Sequence, residues 1–487
     1  MRRSSTENKP IDPSHVFTME DIEEKMSNIV DDTLEGVDSK HIFDSPKNNK
    51  GIAGHIIEES VLGYKKDNRR QHDIEIDGVG TEVKTTGLVM KDGRMVAKEP
   101  ITITAVKMDG IVLEEFDRSH FWDKARCMLL VYYLHDYKGT FNIQAYRHFV
   151  IIGWQIRIIQ DDDKAILESD WNIVKEFVID AKRTPEPEKL YPELSHLELM
   201  FTDIAPKYPR DPRFRFKRLY VDSFVQEYLN KAGYAKLPQN IRRYDELDAI
   251  CSRLTSDNYG KSVRELIQEY DILAEKVTKD ISERIVLAMF RSEERKLNRI
   301  GLFNKLGIQG KTIVQSVNDG KTEDMKLFKI DFDEIRNPDL RFKDSQFYSY
   351  FSDYKIMAIV FKEQTSKDVV FADNRFVGFK RISFDEEFIE NHVHRLWREI
   401  RRLVNGNGLK EIFEYNKDGS VRMTPKTNVP VSAPNFPKSE DHLVFVRGSG
   451  ADKSKLPLEI NGIRMLSQYV WIRGKDMVDA VNGKKKL

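Results

Sequence analysis

Two acids and a lysine define the chemistry available to this chain. The stretch from His72 to Thr86, HDIEIDGVGTEVKTT, begins with alternation that turns Ile74 and Ile76 to one side and Asp73, Glu75 and Asp77 to the other, the pattern of a half-buried strand. Asp77-Gly78 is a tight-turn dipeptide, and the β-branched return segment puts Glu82 and Lys84 on one face and Val83 on the opposite one. The hairpin is therefore predicted to gather Asp73, Glu82 and Lys84. Mg²⁺ binds oxygen ligands, often one or two carboxylates completed by phosphate and water, and a lysine beside it can orient or activate attacking water. Such a layout suits metal-dependent hydrolysis of phosphodiesters. The short pattern also occurs at Asp162-Asp163-Lys164 and Asp324-Met325-Lys326, and an exposed edge hairpin with a cross-strand ion pair is the plainer explanation of the motif taken alone.

The neighbouring elements must hold these groups. Thr18 with Asp21 forms a capping-box start, and Met19, Ile22, Met26, Ile29 and Val30 follow at helical spacing. Residues 51–63, GIAGHIIEESVLG, predict a second helix with Gly51, Gly54 and Glu58 along one stripe. Glu58 then either faces the hairpin as a further ligand or orienting acid, or lies in solvent. Asp92-Gly93 predicts another turn and residues 100–106 a further strand. Ser119 opens a helix start, SHFWDKAR, that runs into the apolar strand CMLLVYYL; Lys124 precedes that strand, where a solvated boundary lysine is the common case. A helix runs through Trp171, and residues 185–192 form a loop.

Residues 205–218 place Lys207, Arg210, Arg213, Arg215, Lys217 and Arg218 among Tyr208, Phe214 and Phe216. Alternation should anchor the phenylalanines in the core and present the charges, so Lys207, Arg210, Arg213, Arg215 and Lys217 are expected to contact nucleic acid. Arg447 lies in HLVFVRGSGADKSK, a strand followed by a Gly-Ser loop apt for phosphate contact. In both places a solvated surface loop is the alternative.

A chain of 487 residues exceeds one ordinary hydrophobic core, so two or more domains are expected. Basic and acidic residues balance at 79 each, so an anionic partner must be held by local patches rather than by a global field. Two cysteines cannot make a disulfide framework, and the longest apolar run, Cys127 to Leu134, is far short of the roughly 20 residues of a membrane span. With no apolar signal after MRRSSTENKP, a soluble protein of a reducing cytoplasm is expected. The segments read as a flexible arm over 1–16, a first domain over 17–230, a helical connector over 231–296 and a second domain over 297–487.

The two halves carry a faint repeat. SHFWDKARCMLLV at 119–131 resembles SYFSDYKIMAIVF at 349–361, and TEVKTT at 81–86 falls opposite TIVQSV at 312–317. On that alignment Glu82, Lys84 and Lys124 meet Ile313, Gln315 and Tyr354, while Asp73 and Glu58 meet Asn304 and Met289. The second half is thus expected to bind rather than cut.

Three ordered motifs, Gly51 to Glu58, Asp73 to Thr85 and Ser119-His120 to Lys124, resemble those of MutH and the type II GATC restriction endonucleases of its superfamily. The full length is similar to the larger two-domain enzymes of Staphylococcus type. The resemblance implies an α/β PD-(D/E)xK fold, MutH-like and duplicated, with a catalytically degenerate second copy joined by a helical segment. It implies Mg²⁺-dependent cleavage of both strands of duplex DNA at GATC, and a C-terminal domain that binds another site and regulates the first. Asp73 and Glu82 would be metal ligands with Glu58 as the supporting acid and further ligand. Lys84 would position or activate water, and Lys124 would be the additional active-site lysine. His72 replaces the proline of the family pattern, the gap from Asp73 to Glu82 is longer, and the recognition loops do not align. A nicking endonuclease of mismatch repair and a non-catalytic DNA-binding regulator stay open as alternatives, as do dimerisation on DNA and looping between two sites.

Overall fold

The computed structural model describes residues 12–44, 51–65, 71–91, 93–137, 142–207, 210–230, 233–317, 322–364, 370–423, 428, 430–450 and 455–483, with only the backbone at 206 and 207. The chain divides into two compact units, the first formed chiefly by Met1–Tyr137 and Phe141–Gly233 and the second by Leu247–Leu487.

The first unit is built on a mixed sheet in the order β1 (Val16–Phe17), β2 (Ile74–Ile76), β3 (Val79–Lys91), β6 (Cys127–Leu134), β7 (Ile151–Ile158), with β4 (Arg94–Ala97) also paired to β3. The hairpin of β2 and β3 closes through Asp77 and Gly78, both at positive φ (48° and 79°), as a two-residue turn that follows strand twist requires. Between Lys91 and Arg94 the next turn carries Gly93 at φ 78°; Asp92 lies outside the described residues. β6 runs parallel to β3 and antiparallel to β7, and its near-continuous apolar sequence is buried on both faces, as a central strand covered from two sides must be.

One face is covered by the helix Met19–Ser27, whose Thr18/Asp21 capping box forms as expected although the helix stops before Ile29. The segment from Gly51 is not one regular helix. An α-helical stretch, Ile52–Ile56, passes into a π turn, Ile57–Leu62, that ends at Gly63 in the left-handed region. These elements pack Ile22, Met26, Ile52, Ile56 and Ile57 against Ile74, Ile76, Val83 and Leu129.

A second, three-stranded sheet joins β5 (Ile101–Ala105), β9 (Arg210–Phe216) and β8 (Thr202–Lys207). Along β9, Phe214 and Phe216 are buried while Arg213 and Arg215 alternate with them toward the surface. Phe121 packs on Phe214 and Phe216, with centroids 4.8 and 6.3 Å apart, and so ties the helix His120–Ala125 to this sheet.

In the second unit β10 (Ile308–Gln315) runs parallel to β12 (Lys355–Lys362), which pairs antiparallel with β13 (Arg375–Ile382). Residues 247–296 are packed within this unit: Asp248 pairs with Arg381 at 2.8 Å, and Gly260 N donates to Phe376 O at 2.9 Å. A further sheet comprises β11 (Met325–Lys329) and the strands Gln468–Ile472 and Val444–Gly448. Among the described residues no helix is long and apolar enough to cross a membrane.

Candidate active site

Glu82 is the buried centre of the site, 2% exposed on the parallel ladder where it stands beside Met128. A carboxylate there keeps its charge only if cations meet it. Lys84, two residues on and so on the same face, donates to Glu82 Oε1 at 2.6 Å, and Lys124 donates to Oε1 and Oε2 at 2.9 and 2.8 Å. Lys124 arrives from the helix His120–Ala125. Ser119 caps it, accepting from Trp122 N at 3.0 Å and donating to Phe116 O at 2.7 Å.

Asp73 immediately precedes β2 and bends toward β3, where its Oδ2 accepts from Val83 N at 2.9 Å. Its backbone carbonyl is 2.7 Å from His15 Nδ1, and His15 packs against Tyr64. Glu58 is held in the π turn at 9% exposure. Burial works against the charge of Lys84, but the carboxylates of Glu82, Asp73 and Glu58 outweigh it and hold its pKa above the usual lysine value. The five residues named from the sequence therefore act on one neighbourhood. Gly54 is less demanding than its place on the stripe suggests, since a Cβ there would meet Thr85 Oγ1 at 3.7 Å, an ordinary contact.

Sequence reasoning missed a second tie. His72 N donates to Asp123 Oδ2 at 3.0 Å, and His72 Nδ1 lies 3.2 Å from both Asp123 oxygens. Burial tends to raise the Asp123 pKa, but His72 and Arg126 prevail and lower it. A Cβ on Gly80 would come within 2.4 Å of His72 Cε1, so the glycine is what admits the ring. His72 adjoins Asp73 and Asp123 adjoins Lys124, so the pair joins the chain on either side of Glu82. The only advance signal was that His72 stands where the family pattern has proline.

The basic residues divide. Arg210 is exposed, and Arg213 has a buried Nε without a hydrogen-bond partner. Arg215 pairs with Asp203 directly across the β8–β9 ladder at 2.6 Å. Lys217 donates to Leu199 O and lies over the Tyr244 ring. The side chain of Lys207 lies outside what the structure describes. In the second unit Arg447 pairs with Asp324 at 2.7 Å and lies over Phe445 and Trp471. The Gly-Ser loop after Arg447 falls partly outside the described residues.

Asp73 and Glu82 suit a hard cation. Asp73 Oδ1 meets no hydrogen-bond donor among the described residues, and both Glu82 oxygens already face cationic groups. Among the described residues no group of three or more histidine, cysteine, aspartate or glutamate side chains forms a metal cage. Two carboxylates, with substrate and water completing the shell, are an arrangement Mg²⁺ commonly takes.

Residues 62–170 match the family of the DNA mismatch repair enzyme MutH. That span includes Asp73, Glu82, Lys84 and Lys124 and begins just after Glu58. Over 457 residues, 86% of this chain and 88% of the relative, the sequence is 23% identical to the type II restriction enzyme Sau3AI of Staphylococcus aureus. The chain thus carries a MutH-like domain, and its resemblance to the MutH-like restriction endonucleases extends along most of its length.

Proposed function

We propose that the chain is a type II restriction endonuclease that hydrolyses phosphodiester bonds of duplex DNA at a short specific site, leaving 5′-phosphates. The observation that carries this reading is the buried Glu82 carboxylate held by Lys84 and Lys124 beside Asp73. Likeness to Sau3AI across both units favours the restriction enzyme over a nicking repair endonuclease, whose single domain would match the first unit alone. GATC is the site that the family resemblance supports.

Mg²⁺ held by Asp73 and Glu82, with Glu58 in support, would supply charge stabilisation to the phosphate and a more acidic water. The remaining work falls to the chain. As an ammonium, Lys84 donates a hydrogen bond that orients water for in-line attack on phosphorus. Lys124 turns its charge toward the phosphate oxygens as negative charge grows there. As the new P–O bond forms the bond to the 3′-oxygen breaks; the attacking water gives up a proton to solvent and the 3′-oxygen takes one from it, leaving a 3′-hydroxyl on one fragment and a 5′-phosphate on the other. Arg210 and Arg213 on β9 hold the backbone of the duplex. The second unit binds another DNA site and regulates the first.

Digesting unmethylated and adenine-methylated plasmid with Mg²⁺ and sequencing the ends tests the reaction and the site together. Glu82→Ala and Lys84→Ala should each abolish cutting while DNA is still retained; undiminished cutting by either variant would end the assignment.

A further inference from the structure

The parallel ladders of the two units can be compared step by step. Glu82 and Lys84 stand beside Met128 and Leu130, four and two residues before Tyr132, where the β6–β7 ladder shifts register. β12 has the same shift after Val360, and four and two residues before it are Ile356 and Ala358, whose β10 partners are Gln309 and Lys311. The helices agree. Ser345 caps Gln346–Asp353 and donates to Phe342 O at 2.6 Å, as Ser119 does to Phe116 O. Five residues after each cap come Lys124 and Tyr350. Tyr350 donates to Gln309 Oε1 at 3.0 Å, the contact that Lys124 makes with Glu82. Sequence spacing pointed instead to Ile313, Gln315 and Tyr354, four residues too far along. The helix before β12 has eight residues where its counterpart has six.

The register changes the chemistry expected of the second unit. Its lysine is kept as Lys311, its carboxylate has become an amide, and its second lysine a phenol. Among the described residues β10 is an edge strand entered from the helix Gly301–Lys305, and no hairpin there brings a counterpart of Asp73. Around Lys311 stand Lys326, whose carbonyl accepts from Lys311 Nζ at 3.1 Å, and Glu283, which packs over Gly310 and pairs with Lys296 at 3.0 Å. Among the described residues neither Lys311 nor Lys326 meets a carboxylate within ion-pair distance. Burial, helped by the charges of Lys326 and Lys296, holds the Lys311 pKa below the usual lysine value despite Glu283. In the first unit Glu58, Asp73 and Glu82 outnumber Lys84 and Lys124 by one charge. In the second, Lys296, Lys311 and Lys326 outnumber Glu283 by two.

We propose that this place in the second unit is a metal-independent site for a phosphate of duplex DNA, held by the ammonium groups of Lys311 and Lys326 and by the amide Nε2 of Gln309. Where the first unit repels the DNA backbone until a cation is bound, the second attracts it without one. The inference rests on the endonuclease reading and assigns the DNA contact of its regulatory half.

Anisotropy of a labelled duplex with the full chain in EDTA, over a salt series, tests it. Lys311→Gln and Lys326→Gln should each weaken metal-free binding about tenfold and reduce the salt slope by about one. Single-turnover cutting of a one-site duplex at saturating enzyme with Mg²⁺ should be unchanged. Gln309→Glu should weaken binding in EDTA and make it recover with Ca²⁺. If Lys311→Gln lowers the melting temperature, the exposed Lys326→Gln decides. Metal-free affinity and slope equal to wild type in the lysine variants would overturn the proposal and leave the endonuclease reading standing. A wild-type chain that cuts no DNA with Mg²⁺ would overturn the endonuclease reading instead.

Discussion

Lys124 reaches both carboxylate oxygens of Glu82, at 2.9 and 2.8 Å. A divalent cation bound through Glu82 would have to compete with this lysine for the same oxygens. Lys124→Met should leave Glu82 with Lys84 alone and lower metal-free stability by roughly 3 kcal/mol, the scale for breaking a buried pair. Ca²⁺ should then raise the melting temperature of the variant more than that of the wild type. Equal increments in the two proteins would show that the lysine does not occupy the cation's place.

The tie between His72 and Asp123 should matter to cutting more than to DNA retention. Asp123→Ala frees the His72 ring and backbone amide and so loosens both Asp73 and Lys124, and a misplacement near 1 Å costs on the order of 10²-fold in rate. His72→Ala should cost a similar factor, and the double variant little more than either alone, because the two act as one unit. Rates that multiply independently in the double variant would sink this coupling. Asp123→Asn, which keeps an oxygen for the His72 amide, should recover part of the rate.

Ser119 performs two structural tasks at once, capping the helix that carries Lys124 and donating to the preceding turn. Ser119→Ala should cost about 1 kcal/mol through loss of the cap. Ser119→Asp, which can accept from Trp122 N, should recover part of that loss in urea denaturation. A variant as stable as wild type would mean that water replaces the cap.

What could be foreseen depended on how local each determinant is. The β2–β3 hairpin was legible because Asp77-Gly78 and the period-two pattern specify it within a dozen residues. Phe214 and Phe216 fell inward for the same reason. The π turn around Glu58 was not legible, since an apolar stripe does not distinguish one wide turn from regular helix. Nor were the partners of Arg215 and Arg447: Asp203 meets Arg215 across the β8–β9 ladder, and Asp324, just before β11, meets Arg447 from 123 residues away in a sheet where the strand Gln468–Ile472 lies between theirs.

His135 follows the end of β6, 8% exposed, with Tyr146 and Phe149 against its ring. Burial, with Lys98 nearby, lowers its pKa from 6.5 to about 4, against the opposing pull of Glu99 and Asp136. The folded protein therefore binds fewer protons than the unfolded chain between these two values. The stability due to neutral His135 is complete above pH 6.5 and is lost as pH falls toward 4, by roughly 3 kcal/mol in all. His135→Gln should flatten that part of the profile in urea denaturation of the first unit measured between pH 7 and 4.5. A slope as steep in the variant as in the wild type would assign the acid sensitivity to other groups.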